Sequence, residues 1–91
     1  MELGGNIELI NFENLDHSKL IVIKKIVGNY AKKMSDIHGF EKLSLSLKDE
    51  TEIQGRLTIN KKIHSSEARD DNLFFALDKV LSNLYNECKS L

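Results

Sequence analysis

The stretch Lys42-Leu43-Ser44-Leu45-Ser46-Leu47-Lys48-Asp49-Glu50-Thr51-Glu52-Ile53-Gln54-Gly55-Arg56-Leu57-Thr58-Ile59-Asn60 decides the fold. Leu43, Leu45 and Leu47 alternate with Lys42, Ser44, Ser46 and Lys48, a period of two that puts the leucines on one side of a strand and cannot follow one face of a helix. After the polar turn Lys48-Asp49-Glu50-Thr51, Ile53, Leu57 and Ile59 share a parity with Gly55, while Gln54, Arg56, Thr58 and Asn60 take the other. So short a link predicts an antiparallel pair with one apolar and one polar face, which a sheet packed on one side only can accept.

Working outward, Ile7 and Leu9 alternate with Asn6 and Glu8, and Ile10 and Phe12 then fall on the opposite parity, predicting a short strand that changes face near its end. Leu20, Ile23, Val27, Tyr30 and Met34 step by three and four, predicting an amphipathic helix started by Asn14 or Asp16 and ended at His38-Gly39, with Tyr30 in the core. Asn60-Lys61-Lys62 is a second turn, and Ile63 to Ala68 a fourth, weaker strand. Asp70-Asp71-Asn72 opens a last helix whose stripe is Phe74, Leu77, Leu81, Leu84, Cys88 and Leu91, widened by Leu73 and Val80. The expected architecture is an α+β two-layer sandwich: β-α-β-β-β-α order, a four-stranded sheet, and both helices packed on one face.

Ninety-one residues supply one core, with residues 6–91 as a single domain and residues 1–5, with Gly4-Gly5, as a flexible lead-in. The chain is 41% hydrophobic and 30% charged, too apolar for a disordered segment, and Lys24-Lys25 interrupts the early apolar run, so neither a signal core nor a spanning helix can be drawn. The cytoplasm is the expected compartment. One cysteine, Cys88, excludes an internal disulfide; at its place in the apolar stripe it reads as a small buried hydrophobe.

No phosphate loop, nucleophile elbow, metal pair or acid–base carboxylate constellation is present, so no enzyme, cofactor, metal or small-molecule substrate is expected. Gly4-Gly5 precedes a strand, where a dinucleotide loop would follow one. His64 and Glu67, three apart in a strand, point to opposite faces and read as solvated side chains. Glu67, Asp70 and Asp71 are explained by the start of a helix, which favours carboxylates. The net charge of −1 confines any nucleic-acid surface to a local patch. Lys24, Lys25, Lys32 and Lys33, two pairs eight residues apart, form a cationic stripe on the predicted first helix that could meet phosphates, with a solvated helix face as the competing reading.

Asp71-Asn72-Leu73-Phe74-Phe75-Ala76-Leu77-Asp78 resembles the opening of the last helix in the ribosome hibernation-promoting and ribosome-associated inhibitor family, and Phe12-Glu13 is similar to the step into that family's first helix. The resemblance implies a βαβββα domain and a non-enzymatic, cytoplasmic stress-response factor. Such a factor dampens translation by binding the small ribosomal subunit, through its RNA, near the decoding region. For such a factor the candidate RNA contacts, read from this chain's own charge pattern, are Lys24, Lys25, Lys32 and Lys33, with Lys79, Lys89 and Arg56 secondary. The chain departs from the family pattern at Asp16-His17, where Thr-Pro is usual, at Lys24 and Lys25, where carboxylates are common, and at Asn83 and Asn86, where cations face RNA. These departures favour the alternative reading, a small protein-interaction module that keeps the fold without the ribosomal RNA surface. A double-stranded-RNA binder fits less well, because the last helix starts on Asp70-Asp71.

Overall fold

The leucine ladder is a strand, β2 (Lys42–Leu47), and it pairs antiparallel with β3 (Glu52–Ile59), Leu45 opposite Gly55 and Leu47 opposite Ile53. In the computed structural model, which describes Met1–Leu91, the other elements are β1 (Ile7–Ile10), α1 (His17–Ile37), β4 (Lys62–Arg69) and α2 (Leu73–Lys89). The sheet order is β1-β2-β3-β4, with β1 parallel to β2 and every other neighbour antiparallel. A parallel pair needs a crossover, and α1 is that crossover. Both helices bury their stripes on the leucine face, giving the two-layer α+β sandwich that the residue pattern predicts. No helix is long and apolar enough to cross a membrane.

The core contains no polar or charged side chain. Leu43, Leu45, Leu47, Ile53, Leu57 and Ile59 meet Leu20, Ile23, Val27 and Met34 of α1 and Leu77, Val80, Leu81 and Leu84 of α2. Gly55 admits α2 to the sheet: a Cβ built there would stand 2.6 Å from Val80 Cγ1 and 3.1 Å from side-chain carbons of Leu45 and Leu84. The change of face after β1 occurs at Asn11, whose φ of 68° turns the chain so that both Leu9 and Phe12 are fully buried.

Local chemistry sets the joints. Asp49 Oδ1 accepts from the Thr51 and Glu52 amides and from the Thr51 hydroxyl, closing the β2–β3 turn. Asn60 and Lys61, at φ 52° and 65°, make the two-residue turn between β3 and β4 whose twist matches its strands. At α2 the Asn72 side chain accepts from the Phe74 amide at 2.9 Å, and Asp70 accepts from the Asn72 amide at 2.8 Å.

Several expectations change. Residues 1–5 are not a loose lead-in: after the turn at Gly4, φ 71°, Glu2 bridges Glu8, the Leu3 amide donates to Ile7 and the Leu9 amide to Met1. Met1 and Leu3 pack on the core, which gives this segment apolar contacts that composition alone does not show. Asp16 occupies the start of α1, but its side chain caps nothing. Tyr30 is only half-buried, because its ring sits on the flank of α1 that looks toward α2 and its hydroxyl donates to Asp78. Ile63 pairs with Thr58 on the wet face and is 64% exposed, so β4 contributes His64, Ser66 and Ala68 to the packed side. Leu91 lies beyond the helix and is exposed.

Candidate nucleic-acid interface

α1 carries five lysines and a single acidic residue, Asp36. Lys24, Lys25, Lys32 and Lys33 are all exposed. Adjacent helical residues are about 100° apart, so these four spread over roughly half the circumference, a broad cationic half-cylinder in place of the narrow stripe suggested by their spacing. Lys25 and Lys32 point most directly away from the buried residues, with Lys24 and Lys33 to either side.

On α2, Lys79 and Lys89 are exposed in the same helical layer. Arg56 is not part of it. Its partner across the strands is Ser44, on the face of the sheet opposite the helices, so no flat partner can touch Arg56 and α1 together. At the outer seam between the helices the Lys33 ammonium stands 5.3 Å from the Tyr30 ring centre and Lys89 stands 5.0 Å from that of Tyr85. The two rings meet edge to face at 6.2 Å, giving a row Lys33, Tyr30, Tyr85, Lys89 that holds two cations in place. The spacings Tyr30 to Lys33 and Tyr85 to Lys89 are helical neighbours visible in the sequence; that the two pairs meet depends on the packing of α1 against α2.

Two of the lysine and arginine side chains are held by carboxylates, both on the sheet. On the sheet, Lys42 pairs with Glu8 at 3.2 Å, and Arg69 pairs with Glu52 at 2.6 Å and Asp49 at 3.2 Å. These carboxylates raise the Arg69 pKa, while backbone hydrogen bonds from Thr51, with Arg69 nearby, hold Asp49 below its usual range. No lysine of α1 or α2 forms an ion pair. Burial first, and then the Asp78 carboxylate at 2.8 Å, pushes the Tyr30 hydroxyl above its usual pKa, so it stays a donor at neutral pH.

The residues at the family's α2 cation positions are otherwise engaged or neutral: Asn83 donates to Ser66 Oγ at 3.0 Å, tying α2 to β4, and Asn86 is exposed. His64 is not a solvated side chain, since Nδ1 lies 2.8 Å from Glu87 Oε2. Burial raises the Cys88 thiol's pKa and makes it unreactive. An open cleft of about 1130 Å³ lies where both helices begin, edged by Asp16, Asp49, Glu50 and Asp71 against Lys19 and Lys48. Its excess of carboxylates makes it a poor site for phosphate. No group of three or more His, Cys, Asp or Glu side chains is placed to hold a metal ion.

An α+β sandwich of βαβββα order with an unpaired cationic helix layer is thus the class of molecule defined by the fold and surface. The same fold is found in the crystal structure of the Protein Y N-terminal domain from Thermus thermophilus, at a TM-score of 0.64 and 19% sequence identity, covering 93% of this chain and 93% of that one. No protein-family model and no curated protein matches the sequence.

Proposed function

We propose that this protein is a non-enzymatic ribosome-associated factor that dampens translation by binding ribosomal RNA of the small subunit near the decoding region. Lys24, Lys25, Lys32 and Lys33 make the main contacts, and Lys79 and Lys89 extend them. Arg56 lies outside this contact. The observation that carries the reading is the gathering of four exposed lysines, none with a carboxylate partner, on one helix whose single acidic residue is Asp36. Unpaired lysines keep their full charge for phosphates, and phosphate contacts supply most of the affinity of such surfaces. The fold shared with the Protein Y domain and the α2 opening Asp71–Asp78 support the same assignment.

Co-sedimentation with ribosomes across a salt series tests it. Binding that declines linearly in log–log form, by roughly 0.7–0.9 per phosphate contact, is the expected outcome. Absence of binding at low salt would leave the second reading, a protein-interaction module. That reading draws on α2, where Lys79 and Lys89 are balanced by Asp78 and Glu87 and where Asn83 and Asn86 replace cations.

A further inference from the structure

The two edges of the sheet are finished differently. Beyond β1, Met1–Leu3 folds back along the strand, and the Leu3 and Leu9 amides bond across to Ile7 and Met1. Beyond β4 there is no further strand. β4 is eight residues long, pairs with β3 without interruption from Lys62 to Arg69, and contains neither a bulge nor a proline, two of the usual devices that blunt an edge.

Hydrogen-bond parity identifies the free groups. The Asp70 amide donates to the Thr51 carbonyl, so Thr51 and Asp70 form a bonded pair, and bonded pairs recur every second residue along an antiparallel ladder. Ala68, Ser66, His64 and Lys62 therefore direct their backbone groups to β3. The two-residue turn at Asn60-Lys61, closed by Ile59 and Lys62, requires the same phase. Ile63, Ser65, Glu67 and Arg69 present free N–H and C=O groups to solvent, and their side chains lie on the wet face, where Ile63 is 64% exposed.

We propose that this edge pairs antiparallel with β4 of a second copy of the chain, forming one continuous sheet with all four helices on the same side. Parity restricts the register, because an outward residue must face an outward residue. With Ser66 opposite Ser66, Ile63 faces Arg69 and Ser65 faces Glu67, each twice by symmetry, and up to about eight ladder hydrogen bonds form. The stem of Arg69, whose charge is already met by Asp49 and Glu52, then covers Ile63, and the Glu67 carboxylate accepts from the Ser65 hydroxyl. Shifting one way sets Ile63 against the Glu67 carboxylate, and shifting the other sets Glu67 against Glu67. Because Met1–Leu3 closes the far edge, pairing stops at two chains. A contact this narrow falls in the weak class of interfaces.

The test is sedimentation equilibrium from about 10 μM to about 1 mM, a range chosen for weak association, on the parent and on Ser65→Pro. The Ser65 amide points to the free edge, so proline there removes a donor from the new ladder and none from the β3–β4 ladder. The parent is expected to approach twice its 10.4 kDa mass as concentration rises, while Ser65→Pro stays monomeric with its circular dichroism retained. Should Ser65→Pro lose its fold, Ile63→Lys, an exposed change at the same edge, supplies the comparison. A parent that remains monomeric throughout would overturn the proposal and return the edge to solvent or to another protein's strand. Equal dimerisation by folded Ser65→Pro or Ile63→Lys would also overturn it.

Discussion

Replacing Gly55 by alanine tests how α2 is seated on the sheet. The new Cβ would lie 2.6 Å from Val80 Cγ1 and 3.1 Å from Leu45 Cδ2 and Leu84 Cδ1, so at least one neighbour must move. Val80 cannot swing away, because a β-branched side chain within a helix is held to one preferred rotamer. Overpacking of this kind costs about 1–3 kcal/mol. Alanine restricts the unfolded chain more than glycine does, which offsets about 0.4–1 kcal/mol. The net loss is about 1–2 kcal/mol, and at roughly 4–8 °C per kcal/mol for a domain of this size the melting temperature should fall by about 5–15 °C. Urea denaturation should show a lower midpoint with an unchanged slope. If contact with Val80 is the cause, Val80→Ala should remove much of the penalty, and the double-mutant cycle should show a favourable coupling of about 1 kcal/mol. Gly55→Ala melting at or above the parent would refute the reasoning, as would an equal penalty in the Val80→Ala background.

Leu81→Ala, which empties a fully buried site beneath the sheet, should destabilise by about 2–5 kcal/mol in chemical denaturation. Lys24→Glu with Lys25→Glu should leave the melting temperature nearly unchanged, weaken ribosome co-sedimentation and flatten its salt slope by about one to two; parent-like binding would reduce the lysines to a solvated face. Asp49 has a folded pKa below its unfolded value, so its contribution is present above the unfolded pKa, near 3.9, and is lost as pH falls through the folded one. Asp49→Asn should therefore flatten the acid limb of stability measured by thermal melts across that range. The Tyr30 resonance should titrate above the usual tyrosine range in an NMR pH series, and Asp78→Ala should bring it down only in part, since burial is the larger cause.

Local periodicity was sufficient for most of the architecture. The leucines at 43, 45 and 47 and the stripe from Leu77 to Cys88 have one geometry each that buries them, and Asp70-Asp71-Asn72 bears the chemistry of a helix start, so the β-α-β-β-β-α order and the two-layer packing are legible from the residues in line. The exposure of Lys24, Lys25, Lys32 and Lys33 follows from the same spacing. What distance along the chain conceals is which groups become neighbours. Tertiary packing puts Arg56 on the far side of the sheet from α1, brings Tyr30 to Asp78 and Tyr85, and pairs His64 with Glu87. It also recruits Met1–Leu3 to close one edge while leaving the other open. A period records the face a side chain must hide, because burial depends on the helix or strand it belongs to; a contact between residues 30 and 78 depends on where whole elements settle on a shared core, and no local pattern records that.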